Sequence, residues 1–228
     1  RSTLMYRTSG RGAMAVLELT VDEARARLRG LEDRVTVAVS NSPRSTVISG
    51  DPDAVREVVA AAERDGVFAR LVKVDVASHS PQMETLAAEL ASDFAGLEPR
   101  AGEVALYSSV LGRPVDGRDL GGNYWGRNLR EPVRFADTIS AMVQDGIGAF
   151  IELGPHPVLK PAIEQTHQAS GQPLTVIACG SRDEDSQLGL FEAFGAAWVA
   201  GLDVSLRVPG VGRHVSLPAY PWQREYHW

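Results

Sequence analysis

The stretch "VTVAVSNSPRSTVISGDPDAV", Val35 to Val55, decides the fold because it holds two strand signals and a helix start in direct succession. Two runs rich in β-branched residues flank "NSPR", an arrangement that is typical of a β-hairpin with a short turn. Asp51 then precedes Pro52, which favours a helix with Asp51 as the N-cap and Pro52 as its first residue. The stretch therefore predicts a hairpin that leads directly into a helix.

The segments on either side of this stretch complete a recognisable order of elements. Upstream, "GAMAVLEL" has the pattern of a strand, and Thr20 with Glu23 forms a capping box that opens a helix. Downstream, the helix ends before Gly66, and "VFARLVKVDV" supplies a fourth strand. Residues 12–74 thus follow the order βαββαβ, which is the ferredoxin-like arrangement.

Beyond His79 the pattern changes to an alternation of helices and strands. One helix carries its apolar residues on a single stripe, and the strand-like runs "VALYSS", "AFIELG" and "LTVIACG" alternate with further helices. The last two runs are short and almost wholly apolar, as is typical of buried parallel strands. A helix from about Asp185 to Val199 is expected to turn its largest apolar side chains inward, namely Leu190, Phe191, Phe194 and Trp198.

Both ends of the chain differ from this pattern. "RSTLMYRTSGRG" has the spacing of the last turns of a helix, so we expect the chain to be part of a longer protein. The final "HVSLPAYPWQREYHW" is rich in proline and aromatic residues and predicts an extended linker whose aromatic side chains act as packing anchors. The predicted division is a helix end, a small subdomain, a larger α/β part and a linker, at 1–11, 12–74, 75–206 and 207–228.

Composition limits the possible functions. The 228 residues carry a formal net charge of −6 with both signs interspersed, so no basic surface for nucleic acid is expected. No apolar run reaches the about 18 residues of a membrane span, and no signal pattern precedes the first strand, so a cytoplasmic location is predicted. The single cysteine, Cys179, lies in a strand-like run and is expected to be a core thiol.

His79, in "KVDVASHSPQME", is the main candidate for chemistry. A histidine in a loop between a strand and a helix is well placed to act as a general base, although the position alone also fits a histidine satisfied within the fold. A base needs a nucleophile, and no G-x-S-x-G pattern occurs in these residues. The other histidines lack zinc-like spacing, so neither a bound metal nor a bound cofactor is expected.

Six stretches carry a resemblance to a known family: "GRGAMAVLEL", "VAVSNSPRSTVISGDPDAV", "VDVASHSPQM", "YWGRNLREPVRF", "ELGPHPVLKPAI" and "LPAYPWQREYHW". In this order they resemble the second half of an acyltransferase domain of a type I polyketide synthase and the linker that follows it. The resemblance implies an α/β fold, namely the C-terminal part of an α/β-hydrolase-like large subdomain with a ferredoxin-like small subdomain inserted. The family's first half carries a G-H-S-x-G elbow, and this chain does not contain that motif.

The resemblance also implies roles for individual residues. His79 would be the general base for a serine upstream of this chain, and the backbone carbonyl of Glu131 would orient its ring. Arg1 falls where the family has an arginine that pairs with the free carboxylate of a malonyl-type acyl group. Asn41 either caps the hairpin turn or faces the substrate cleft. Because the serine is missing, the chain by itself is expected to be inactive.

The implied reaction moves an acyl group from acyl-CoA to the phosphopantetheine thiol of an acyl carrier protein. CoA is therefore a substrate, and phosphopantetheine belongs to the partner. Further implied partners are the upstream half of the same domain, the preceding ketosynthase and its linker. Two other functions remain open at this point: a non-catalytic scaffold segment of a synthase, and a fragment of a serine esterase, which would not need Arg1.

The four residues that end in the histidine bear on the acyl group. In the family "HAFH" accompanies malonyl and "YASH" accompanies methylmalonyl, whereas this chain has Val76, Ala77, Ser78 and His79, which is neither. Ser78 lacks the bulk of a phenylalanine that would crowd a methyl group on the substrate, and Val76 replaces tyrosine on the opposite wall. Methylmalonyl is the expected extender, with malonyl not excluded.

Overall fold

The computed structural model describes residues 1–168, 174–182, 185–205 and 215–226. Strands and helices alternate through most of the chain. The strands are β1 Ala13–Leu17, β2 Val35–Ser42, β3 Ser45–Gly50, β4 Ala69–Leu71, β5 Leu106–Ser108, β6 Arg113–Val115, β7 Val133–Arg134, β8 Ala149–Glu152 and β9 Thr175–Ala178. The α-helices are α1 Ser2–Tyr6, α2 Val21–Arg27, α3 Pro52–Arg64, α4 Glu84–Asp93, α5 Gly122–Arg130, α6 Phe135–Gln144, α7 Lys160–Gln168 and α8 Ser186–Val199. Short 3-10 turns span Pro81–Met83 and Gly117–Asp119.

The first sheet has the strand order β4-β1-β3-β2-β7. Its first four strands are antiparallel to their neighbours, and β7 runs parallel to β2. From β1 to β4 the elements follow the predicted order βαββαβ. Helices α2 and α3 cover one face of this sheet, where Leu17, Ile48 and Val55 are fully buried. The order of elements in residues 12–74 is thus confirmed.

Local side-chain chemistry starts the helices where the sequence predicts. Thr20 and Glu23 form both hydrogen bonds of a capping box at α2. The Asp51 carboxylate accepts hydrogen bonds from the backbone N–H groups of Asp53 and Ala54 at α3, and Pro52 is the first residue of that helix. At both helix starts a side-chain oxygen therefore accepts from backbone N–H groups that have no partner within the helix.

The fourth strand is shorter than predicted. Strand β4 ends at Leu71, although the backbone N–H of Val72 still donates to the carbonyl of Met14 at 2.9 Å. After that bond the chain leaves the sheet edge towards His79, and Val72 and Val74 are exposed. The end of the predicted strand is therefore a connection that carries the histidine loop.

Helices α4 and α5 pack closely against each other and against α1. The predicted stripe on α4 is confirmed, since Leu86 and Leu90 are buried in a cluster with Leu129 of α5 and partly buried Leu4 of α1. The approach is close because α5 has a glycine at the contact. A Cβ atom built on Gly126 would lie 2.7 Å from the carbonyl oxygen of Ala87.

The remaining strands form small sheets of two strands each. Strand β5, within the predicted "VALYSS" run, pairs antiparallel with β6. Strands β8 and β9 are parallel as predicted, but the expectation that both are wholly buried is wrong. Phe150 and Ile177 are buried, whereas Ile151 is 50 % exposed and Leu153 after the strand is 83 % exposed. The cause is that the described helices cover the Phe150 face, where Ile139 of α6 and Ile163 of α7 pack.

The prediction for the inward face of α8 is also wrong. Its buried residues are small, namely Gly189, Ala193 and Ala197, whereas Leu190, Phe191 and Trp198 are exposed and Phe194 is half-buried. Ala193 and Ala197 are one turn apart and form a cluster with Ile177 of β9. A stripe of small side chains lets the helix lie close to the strand, and this arrangement turns the large side chains outward.

The C-terminal segment has the extended character that the sequence predicts. Residues 215–226 contain no helix or strand, and their aromatic side chains are exposed, including Tyr226 at 96 %. The expectation that Tyr220, Trp222 and Tyr226 act as packing anchors concerns contact with the linker that precedes the domain in the family, so it stays a prediction. The predicted boundary between 206 and 207, and Trp228, lie outside the described residues. Among the described helices, none is both long and apolar enough to cross a lipid bilayer.

Replacing glycine by alanine should change the stability in opposite directions at Gly126, which lies in the close contact between α4 and α5, and at Gly195 of α8. Gly126→Ala should lower the free energy of unfolding by about 1–3 kcal/mol, because the added methyl group meets the Ala87 carbonyl and overpacks the interface. Gly195→Ala in α8 meets nothing within 4 Å and should raise stability by about 0.5–1 kcal/mol. Urea unfolding of the two variants measures both effects, and a Gly126→Ala variant as stable as Gly195→Ala would contradict the packing.

Candidate active site

The loop that carries His79 lies directly against the start of β1. The backbone N–H of Gly12 donates to the carbonyl of Asp75 at 3.2 Å. A Cβ atom built on Gly12 would overlap the backbone nitrogen of Ala77 and would lie 2.7 Å from the Ala77 Cβ. Only glycine therefore allows this approach, and Gly12 fixes how far the loop stands from the sheet.

The side chain of Asp75 holds the same loop from a second direction. Its carboxylate accepts hydrogen bonds from the Ser9 hydroxyl and, at 3.1 Å, from the backbone N–H of Gly10. The Ser9 hydroxyl is the main reason why the pKa of the Asp75 carboxyl lies below its ordinary value. The carboxylate therefore stays ionised at neutral pH and keeps both bonds.

Ser80 fixes the other end of the loop. Its side chain is fully buried, and its hydroxyl donates to the Ala77 carbonyl at 2.7 Å and accepts from the backbone N–H of Gln82 at 3.2 Å. Between these anchors His79 has a φ angle of 60°, the only positive φ among the described residues other than glycine. A histidine in this sparsely populated region needs its surroundings to hold it there.

The C-terminal end of α5 provides that support through two carbonyl groups. The backbone N–H of His79 donates to the carbonyl of Leu129 at 3.3 Å. The ring Nδ1–H donates to the carbonyl of Glu131, with an Nδ1 to oxygen distance of 2.8 Å. Since a carbonyl only accepts, Nδ1 carries the proton and the lone pair of the neutral ring is on Nε2. His79 and the Glu131 carbonyl therefore have the relative position that the family resemblance implies.

The electrostatic surroundings favour the neutral ring. Burial is the main cause that lowers the pKa of His79, and the positive charge of Arg1 adds to the effect. The hydrogen bond to the Glu131 carbonyl works in the opposite direction and does not cancel the other two. At neutral pH the imidazole is therefore neutral and can accept a proton at Nε2.

Glu131 is itself held in place by its neighbours in sequence. Arg127 binds the Glu131 carboxylate with two hydrogen bonds of 2.6 and 3.0 Å, and this pairing lowers the pKa of the Glu131 carboxyl. Pro132 follows, and a residue before proline is driven to extended backbone, as the ψ of 153° at Glu131 shows. The extended residue takes its carbonyl out of the helix pattern, which leaves that carbonyl available to His79.

Arg1 lies close to this histidine. Its Nη1 donates to the side-chain oxygen of Asn128 at 2.6 Å. Its positive charge is near enough to lower the pKa of His79. Within the described part of the chain no carboxylate lies within ion-pair distance of Arg1. Asn128 was not singled out by the sequence, since a lone asparagine in "GRNLREP" has no motif of its own.

The other predicted site residues are less closely joined. Ser78 is buried and Val76 is half-buried, next to the contact of Ala77 with Gly12. Asn41 is part of β2 beside an irregularity in its pairing with β3, so the interpretation as a cap of the hairpin turn is wrong. Asn41 lines two cavities, of about 290 and 610 Å³, and none of the predicted site residues on the histidine loop lines either of them.

Comparison with known sequences finds matches over most of the chain. The profile described as the acyl transferase domain matches residues 1–204, and relatives over the full chain are polyketide synthases. The chain belongs to the acyltransferase domain family of type I polyketide synthases. The relatives include the spectinabilin polyketide synthase system protein NorA' of Streptomyces orinoci, 42 % identical over 100 % of this chain and 6 % of its own length. The erythronolide synthase EryA2 of Saccharopolyspora erythraea is 39 % identical, again over 100 % and 6 %.

Solved acyltransferase domains share the fold. The domain from module 8 of the salinomycin polyketide synthase superposes with a TM-score of 0.87 at 40 % identity, over 90 % of this chain and 48 % of that one. The loading acyltransferase of the avermectin synthase gives a TM-score of 0.80 at 31 % identity, over 85 % and 61 %. The chain thus spans about half the length of the salinomycin domain that it matches.

The surroundings of His79 predict how its pKa changes when the charge of Arg1 is removed. In this acyltransferase segment the pKa of His79 should lie below the ordinary value of about 6.5, because the ring is buried. Arg1→Gln should raise that pKa, since it removes the nearby positive charge. Titration of the His79 ring signals by NMR measures both, with Arg11→Gln as a control of the same charge change. An equal response to the two variants would contradict the placement of Arg1.

Proposed function

We propose that this chain carries the general base and the carboxylate-binding arginine of an acyltransferase that moves a malonyl-type unit from CoA to an acyl carrier protein. The observation that carries the proposal is the joint geometry of His79 and Arg1. The ring is fixed through Nδ1–H with its Nε2 lone pair available, and a guanidinium without a carboxylate partner among the described residues lies nearby. A base and an anion-binding group at one place suit an acyl group that carries its own carboxylate.

The proposed nucleophile is a serine in the upstream half of the domain. Nε2 of His79 takes the serine proton while the serine oxygen attacks the thioester carbonyl. The carbon–sulfur bond then breaks, and the CoA sulfur leaves with the proton that His79 held. In the second half, His79 takes the proton of the phosphopantetheine thiol, whose sulfur attacks the acyl-serine ester. The serine oxygen leaves with that proton, and the enzyme returns to its first state.

Arg1 has the chemistry to select the acyl group. A guanidinium presents five N–H donors in a planar fork that matches a carboxylate with two parallel hydrogen bonds. Asn128 uses one of these donors, so the remainder are available to a substrate. We therefore assign recognition of the malonyl-type carboxylate to Arg1, which an ordinary serine esterase would not require.

We propose that residues 12–74 are a ferredoxin-like small subdomain inserted in an α/β-hydrolase-like large subdomain. The order βαββαβ and the strand order β4-β1-β3-β2 support the small subdomain. The parallel pair β8 and β9 with helices α7 and α8 supports the large one.

For the partners we propose an acyl carrier protein, the upstream half of the domain, and the preceding ketosynthase with its linker. The names of the relatives, which are polyketide synthases, support this assignment. For the extender we propose methylmalonyl, with malonyl also accepted. The side chains that support it are Ser78, which is smaller than the phenylalanine of the malonyl pattern, and Val76, which is smaller than the tyrosine of the methylmalonyl pattern.

The test of the function is His79→Asn in the complete acyltransferase domain that contains this chain. Asparagine tolerates a positive φ and can still donate to the Glu131 carbonyl, but it cannot take a proton. Self-acylation by methylmalonyl- or malonyl-CoA should fall about 10²–10⁴-fold. Mass spectrometry of the acylated peptide measures the rate and identifies the acylated residue.

The matched control is His156→Asn, an exposed histidine in "GPHP". Full activity of His156→Asn beside the loss in His79→Asn supports the base. A His79→Asn variant that acylates at the wild-type rate, or a wild-type domain that never acylates a serine, would instead favour a non-catalytic scaffold segment.

The small side chain of Ser78 predicts the effect of Ser78→Phe on the choice of acyl group. The added ring should crowd the methyl group of methylmalonyl and shift the preference of the complete domain towards malonyl by about tenfold or less. Competition between the two CoA thioesters measures the shift. Ser78→Ala is the control, since it removes the hydroxyl without adding bulk, and thermal unfolding shows whether Ser78→Phe still folds. A wild-type domain that rejects methylmalonyl about a hundredfold would show that the extender assignment is wrong.

A further inference from the structure

We propose that Asn128 is a positioning residue that aims the Arg1 guanidinium and thereby sets the preference for acyl groups with a free carboxylate. The inference rests on the proposed function and concerns a residue that neither the sequence motifs nor the comparisons assign. It starts from one contact, the hydrogen bond of 2.6 Å from Nη1 of Arg1 to the side-chain oxygen of Asn128.

The position of Asn128 in α5 places this contact next to the two carbonyl groups that hold His79. Asn128 immediately precedes Leu129, whose carbonyl holds the His79 backbone, and lies three residues before Glu131, whose carbonyl holds the His79 ring. One helix end therefore binds the proposed base and the proposed carboxylate-binding group. The distance between the two groups is set within a single helical turn rather than across separate loops.

Hydrogen bonds and packing hold the backbone on both sides of the contact. The carbonyl of Arg1 accepts from the backbone N–H of Met5 at 3.0 Å, and Leu4 and Met5 pack in the cluster that contains Leu129. On the other side, Arg130 donates to the Glu84 carboxylate at 2.7 Å and ties α5 to α4. The flexible part between these two fixed points is the long Arg1 side chain, and the bond to Asn128 restrains it at its tip.

A neutral amide suits this role better than a carboxylate. The Asn128 oxygen accepts a hydrogen bond and orients the guanidinium but does not cancel its charge. An aspartate at the same place would form an ion pair and compete with the carboxylate of the substrate. The C-terminal end of α5 adds a partial negative charge that favours a cation here without occupying its donors.

The experiment compares two thioesters that differ in a single carboxylate, methylmalonyl-CoA and propionyl-CoA, on the complete domain. Asn128→Ala should lower kcat/KM for methylmalonyl-CoA more than for propionyl-CoA, so that their ratio falls about tenfold. Asn128→Asp should lower the ratio further, because the new carboxylate occupies Arg1. Asn128→Gln keeps the amide and should retain part of the preference. Asn123→Ala, which changes another asparagine of α5, is the control and should leave the ratio unchanged.

A double variant shows whether Asn128 acts through Arg1. Once Arg1→Ala has removed the guanidinium, adding Asn128→Ala should leave the ratio where Arg1→Ala put it. An equal loss on both thioesters in Asn128→Ala, or a further fall of the ratio in the double variant, would overturn the inference and leave Asn128 a structural residue. If wild-type protein shows no preference for the carboxylated thioester, the proposed function itself fails. If that preference exists and survives Asn128→Ala, only the role of Asn128 fails.

Discussion

The end of helix α5 is the constraint on which the candidate site depends. A helix end leaves carbonyl groups without partners, and a residue with positive φ needs contacts that hold it in that conformation. His79 and α5 meet both needs at once, because Leu129 and Glu131 accept hydrogen bonds from the His79 backbone and ring. The ring bond to the Glu131 carbonyl also decides which ring nitrogen carries the proton. The chemistry of the site is therefore determined by where one helix stops.

That helix end is in turn held by packing far larger than the site. Gly126 lets α5 approach α4, Leu129 is fully buried between them, and Arg130 pairs with Glu84. Such a platform is stiff because interiors are close-packed and respond to the addition of a single methyl group. Groups fixed to a stiff platform keep their mutual distance when substrate enters, which is the condition for an efficient base.

The sequence predicts those features that are written in neighbouring residues. The hairpin follows from the two β-branched runs around "NSPR". The helix starts follow from Asp51 with Pro52 and from the Thr20 capping box, since each of these signals acts within three residues. Contacts between distant segments were beyond such reasoning. The inward face of α8 depends on how closely β9 can approach, and Asn128 meets Arg1 across 127 positions of sequence. The family resemblance supplied the roles of His79 and Arg1, but local patterns alone could not have paired them.

The contact of Gly12 with the histidine loop has a consequence for domain engineering. A single methyl group at Gly12 would collide with Ala77, and Asp75 binds Ser9 and Gly10. The segment that leads into β1 and the histidine loop are therefore closely complementary in shape. A chimera that joins α1 and β1 of one parent to the histidine loop of another brings together two contact surfaces that are not complementary to each other. Crossover points inside the β2–β3 hairpin would separate the two segments. Exchanging them together, as one cassette, preserves the fit.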